Sequence, residues 1–392
     1  MRKFEQIRRY YRNMLACLLF VLPFLFCTGA DAMGQDTVRH SIYPQDMKNK
    51  SGLYNKLWGV HYRELYSTPV TADAVTLQAL QGGMEIMEQA VDFHALVLSN
   101  RRNRLYMLKP LGGSTSFLES KFFREMYNKN DFKGTYLDEF IGDAYTIINP
   151  YTFLAVDRMA KSAGLNFNNS RIYFMQGGEE GDTIADGTGI RNRLVSLRDV
   201  PDTATWKNIL STGALLDQIR QDKSHQVNSE GYIAERLYTA DSILFNPIVI
   251  DRSHAFTKVD GFLFKRMLRV LGLGFITNYS NHPKDIGEIN TLGYTLDMAL
   301  VSGVDESVWR TQALALQKNL SDSVINEAFG ALPPEIQGAE TEAIKKKLLI
   351  RRDSLPYMAR RYYKKLQRTP VLTGTEGDDR IILERSGHDS LL

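Results

Sequence analysis

The sequence predicts an α+β fold in which a small β-hairpin-containing lobe precedes a larger helical lobe. Three stretches predict it. "DFHALVLSNRRNRLYMLKPLGG" (Asp92 to Gly113) sets two apolar runs either side of the polar turn "NRRN", a hairpin pattern. From there to about residue 330, apolar residues recur mainly at helical spacing. Near the end, "AETEAIKKKLLIRRDSLPYMARRYYKKLQ" reads as two helices meeting at Asp353 and Ser354, with Pro356 suited to a first helical turn.

In chain order, the first segment is expected to be a targeting device. Arg2, Lys3, Arg8, Arg9 and Arg12 form a basic head, followed by the apolar run "LACLLFVLPFLFC" and the small residues "ADA". This pattern predicts a secretory signal peptide over residues 1–32, cleaved after Ala32. The apolar run is interrupted by Pro23 and falls short of the roughly 20 residues of a spanning helix; an uncleaved anchor is the alternative. Phe26 stands where lipid attachment at Cys27 would need a small residue. Export to the periplasm or the outer membrane is the expectation that follows. Residues 33–52 are polar and aperiodic, which predicts a flexible tether.

Removing the leader changes the charge balance. Residues 1–32 carry five basic and two acidic side chains, and the remaining 360 residues carry 43 of each. The net charge of +3 therefore belongs to the leader, and no nucleic-acid partner follows from it. Cys17 and Cys27 also lie there, so the rest of the chain has no thiol for a disulfide, a zinc site or a nucleophile. Its length can bury a large core without them.

The elements then run as follows. Leu53 to Val70 carries Trp58, Tyr62, Leu65 and Tyr66 at helical spacing, and residues 53–115 are expected to form the N-terminal β-containing lobe. "STSFLESKFFREMY" opens a helix with Ser116 as cap and Glu119 three residues on. It begins a helical lobe over 116–330. "YTFLAVDRMAKSAG" is an amphipathic helix that stops at Gly164, and "SRIYFM" is a short strand. "ATWKNILSTGALLDQIRQD" and "NSEGYIAERLYTADSIL" read as helices. Residues 331–392 complete the chain as the helix pair and a short β tail, "TPVLTGTEGDDRIILER".

Few residues suggest chemistry. Lys109 closes the second hairpin strand, where kinase folds place the lysine that grips ATP phosphates, braced by a helix glutamate such as Glu119 or Glu125. The alternative is a solvated edge-strand lysine. "LGGST" and "VLGLGFIT" carry incomplete nucleotide-loop patterns and read as ordinary turns. "GGEEGDTIADGTG" offers Glu180, Asp182 and Asp186 to a hard cation but matches no calcium-loop spacing, and an exposed loop is the expectation. The seven histidines are scattered, without a His-Glu-x-x-His pair or a Gly-x-Ser-x-Gly elbow. Asp251 and His254 in "PIVIDRSHAF" could share a metal, against a structural Asp251–Arg252 turn.

"LWGVHYRELYSTPV", "LYMLKPL", "INPYTFLAVDRMAKSAGL", "NPIVIDRSHAFTKVDGF" and the C-terminal helix pair occur in an order that resembles one group of large bacterial envelope proteins. Those proteins join a calcineurin-like metallophosphoesterase to an outer-membrane assembly-type barrel. The segment resembled lies between the two, and is similar to HipA-type and spore-coat CotH-type atypical kinases. The resemblance implies a two-lobed kinase-like core. It also implies a nucleotide and metal site at Lys109, Glu119 and Asp251, with Asp251 as the metal ligand. The family's Gly-Asp-Trp-Asp-Arg-His-type catalytic loop has no counterpart here, and Asp241 is the only acid in that gap. Loss of a general base alone costs about 10²- to 10⁴-fold in rate.

The expectation is thus an exported, non-catalytic binding or scaffolding module of the envelope with a vestigial ATP/Mg site and no working cofactor. An envelope protein is the expected partner, and membrane contact runs only through the leader or that partner. The rivals are a residual nucleotide-dependent transferase using Lys109, Asp251 and Asp241, and an accessory subunit of a separately encoded barrel or phosphoesterase.

Overall fold

The computed structural model describes residues 36–81, 83–86, 95–102, 104–112, 135–165, 167–177, 190–199, 209–211, 232–238, 243–249, 255–274, 276–282, 286, 294–301, 303–368 and 380. The fold is α+β, as expected, and is built on a seven-stranded mixed sheet with helices mainly in the C-terminal part.

Strands β1 (Thr37–His40), β2 (Val70–Val75), β3 (Met84–Ile86), β4 (Leu96–Asn100), β5 (Leu105–Pro110), β6 (Arg171–Met175) and β7 (Arg193–Asp199) lie in the order β1-β2-β6-β7-β5-β4-β3. Only β2 and β6 run parallel; every other neighbouring pair is antiparallel. The β4–β5 hairpin forms where the sequence predicts it. Its turn is built by one side chain: Asn100 Oδ1 accepts the backbone N–H groups of Arg102 and Arg104 at 2.9 and 3.0 Å. Leu96, Val97 and Leu98 are all buried, as are Leu194, Val195 and Leu197. Continuous apolar runs of this kind mark strands covered on both faces.

Helices α1 (Gly52–Trp58), α2 (Arg63–Ser67), α3 (Leu77–Gln81), α4 (Tyr136–Tyr145) and α5 (Phe153–Ser162) alternate with the early strands. The helix expected over 53–70 is cut in two at Gly59, whose φ of +100° only glycine adopts readily. α5 ends as expected, with Gly164 at φ +72°. α6 (Phe262–Val270), α7 (Tyr294–Val301), α8 (Glu306–Asn319), α9 (Asp322–Phe329), α10 (Ala339–Asp353) and α11 (Leu355–Leu366) follow. α10 and α11 meet at Ser354 with Pro356 in the first turn, matching the sequence pattern. Gly272 (φ +73°) ends α6, so "VLGLGFIT" is a helix terminus.

Two expectations of local structure need correction. Residues 37–48, read as tether, form β1 and a 3₁₀ turn (Gln45–Lys48), because β1 pairs along β2. "ILS" and "YIAERLY", read as helix, are strands β8 (Ile209–Ser211) and β9 (Tyr232–Tyr238). With β10 (Ile243–Val249) they make an antiparallel sheet ordered β10-β9-β8. Pro247 fits there because β10 is an edge strand, where a missing N–H breaks no ladder on the open side. Strands β6 and β7, from beyond residue 115, enter the middle of the same sheet as the β4–β5 hairpin. Segments far apart in the chain also pack together. Tyr62 and Tyr66 of the first segment, Phe153 and Met159 of α5, Phe329 of α9 and Ile344 of α10 all belong to a single buried cluster. The expected helix at Ser116 and the β tail lie outside the described residues.

Candidate functional site

The site is built on two short loops distant in sequence. Trp58 ends α1, and Gly59, Val60 and His61 lead into α2; Thr257 to Gly261 lead into α6. Gly59 and Gly261 (φ +84°) lie back to back, so a Cβ on Gly261 would overlap the Gly59 nitrogen and the Trp58 carbonyl carbon. Such close approach of two backbones requires glycine.

Asp260 locks the loops together. Its Oδ2 accepts the Val60 N–H at 2.9 Å, and its Oδ1 accepts the His61 N–H at 2.9 Å. The His61 Nδ1 stands 2.6 Å from the same Oδ1. Burial works against the Asp260 carboxylate, but these hydrogen bonds outweigh it and hold its pKa well below the usual range. His61 itself sits at φ +53° with its ring 4.8 Å from that of Phe264. Its Nε2 is buried without a hydrogen-bond partner among the described residues.

Arg63 braces the first loop from behind. The buried guanidinium pairs with buried Asp143, and also donates to the Gly59 carbonyl and to Asn55 Oδ1. Tyr54 Oη donates to Asp143 Oδ2 at 2.9 Å. The planar five-donor fork of arginine suits this set of three acceptors.

Beside the clasp a cleft of about 660 Å³ opens between Tyr62, the loop Thr257 to Asp260, the segment Asn278 to His282 and α10. Its walls are held by backbone pairing: Lys258 N–H donates to Ile147 O and Tyr279 N–H to Thr257 O, both at 2.8 Å, and Val259 N–H donates to Asn278 Oδ1. Lys258 pairs with Glu340 on α10 and lies 5.5 Å from the Tyr62 ring centre. Arg351 stacks 3.9 Å from the Tyr279 ring centre and donates to Ser280 O. Burial pushes the Tyr279 hydroxyl up to about 12, although Arg351 pulls the other way. Glu340 Oε2 is buried with no partner among the described residues. Lys347 and His282 also line the cleft. It therefore carries both charges, two phenols that stay protonated, and one carboxylate oxygen still able to accept a hydrogen bond.

The sequence candidates fall elsewhere. Lys109 lies in β5, an interior strand between β4 and β7, so the edge-strand alternative is wrong. It is half-buried, pairs in register with Ser196, and its carbonyl accepts from Ser196 Oγ at 3.3 Å. It does not line the cleft. Glu119, Glu125, Asp241, Asp251 and His254 lie outside the described residues, as do Glu180, Asp182 and Asp186. Among the described residues, no group of three or more His, Cys, Asp or Glu side chains is placed to hold a metal ion. No protein-family model, curated protein or solved structure matches the chain.

His61, Asp260, Lys258, Glu340 and Lys347 were not singled out from sequence. "LWGVH" and "KVDGF" each pair a glycine with a polar residue behind an apolar one, but neither points to the other.

Proposed function

We propose that the protein is an exported, non-catalytic binding module of the bacterial envelope, and that its cleft between the Lys258 loop and α10 takes a small polar ligand bearing both charges. The observation that carries this is the state of the cleft's acids and bases. Asp260 is spent on the His61 loop, Lys258 on Glu340, and the Tyr279 ring lies under Arg351. A general base needs a lone pair within reach of a substrate proton and a pKa near the working pH. Asp260, held far below that range and accepting the Val60 and His61 N–H groups, meets neither condition. The Glu340 Oε2, by contrast, is desolvated and lacks a donor among the described residues, which a ligand ammonium would supply. Lys347 and His282 offer the matching contacts for a ligand carboxylate. Export rests on the basic-apolar-small pattern of residues 1–32, and the kinase-type ancestry on the quoted segments.

Thermal-shift titration with amino acids and dipeptides tests the reading. A ligand at 100 times its Kd stabilises by about 2.7 kcal/mol. The expected result is a raised midpoint that Glu340→Gln and Lys347→Ala each lower. No response to any zwitterion, or a response untouched by both variants, would remove the cleft from the proposal.

A further inference from the structure

α6 turns two different faces outward and inward. Phe264 and Leu268, four residues apart, are buried against Ile147, Ile148 and Val259. On the opposite side Phe262, Lys265, Arg266, Arg269 and Val270 are exposed, with Phe262 at 69% and Val270 at 81%. The helix contains no acidic residue. Among the described residues, Lys265, Arg266 and Arg269 have no carboxylate partner. The apolar rim continues past the paired glycines to Val60, 46% exposed, and past the helix end to Leu271.

We infer that the outward face of α6 is a docking surface for an anionic lipid bilayer. Charge complementarity selects this occupant. Three cations with no carboxylate partner among the described residues, interleaved with protruding phenylalanine and valine side chains, match a phosphate headgroup layer over an apolar interior. The inward face is already committed to the core, so the helix would lie on the membrane surface, and the Asp260 clasp fixes its entry angle. Each lysine or arginine near an anionic surface contributes about 1 kcal/mol, so removing two arginine charges lowers vesicle affinity about thirtyfold. This surface is independent of the cleft ligand.

Because the basic, apolar leader would itself bind vesicles, the test reads α6 locally. Full-chain protein carrying Phe262→Trp is mixed with vesicles of 30% phosphatidylglycerol in phosphatidylcholine, with brominated acyl chains as quenchers. The expected result is that anionic vesicles quench this variant's emission beyond that of the unsubstituted chain, whose Trp58, Trp206 and Trp309 also emit, and that salt weakens the difference. Arg266→Gln with Arg269→Gln should lower the vesicle affinity read from this quenching about thirtyfold while circular dichroism stays unchanged. Emission from position 262 that stays unquenched while the protein co-sediments would overturn the inference. So would quenching equal on neutral vesicles, or cross-linking of position 262 to a protein partner without quenching.

Discussion

His61 and Asp260 stand 199 residues apart in the chain and 2.6 Å apart in space, and their contact fixes one wall of the cleft. Two backbone N–H groups and one imidazole converge on a single carboxylate, with two glycines packed behind it. Charge-assisted hydrogen bonds of this kind contribute about 1.5–3 kcal/mol each, so the clasp is a principal tie between the α1–α2 segment and the loop that leads into α6.

Gly261→Ala should destabilise the protein by about 2–4 kcal/mol, combining left-handed strain with overlap against Gly59. Gly164→Ala shares the positive φ, but nothing lies within 4 Å of its added Cβ. It should cost only about 1–2 kcal/mol. Urea unfolding of the two variants checks the difference; equal losses would mean that the back-to-back contact contributes nothing.

Stability should fall in acid through Asp260. Its folded pKa is depressed, so the unfolded state binds the proton first and the contribution is complete above the unfolded value of about 3.9. It is lost as the pH falls from there through the folded value. The gap in urea midpoint between wild type and Asp260→Asn should therefore be wide at pH 6 and narrow progressively below pH 4. A gap independent of pH would contradict this assignment.

Breaking the buried Arg63–Asp143 pair should be costly. Arg63→Met leaves an uncompensated buried carboxylate, at about 3–5 kcal/mol, whereas Arg63→Met with Asp143→Leu should recover much of the loss. Arg63→Lys should not rescue fully, because an ammonium cannot reach Asp143, Asn55 and the Gly59 carbonyl with the same planar fork. A double-mutant cycle from chemical denaturation measures the coupling.

What the sequence made legible was local. The β4–β5 hairpin, the stop of α5 at Gly164 and the α10–α11 junction each depend on residues a few positions apart, and each is found. β9 was missed because "YIAERLY" is rich in good helix formers, and only pairing with β8 and β10 turns it into a strand. β1 is four partly polar residues that acquire a partner 33 or so positions on, which no local pattern reports. The same reason hid the site: the lysine on β5 was visible from its strand, but the cleft is assembled from loops whose partners lie some 200 residues away.

The claim that this protein binds and does not transfer phosphate is tested most directly by its thermal midpoint with millimolar ATP and Mg²⁺, in wild type and in Lys109→Ala. The predicted result is no nucleotide-dependent rise in either protein. A rise in wild type that Lys109→Ala abolishes would contradict it and place a working nucleotide site on β5.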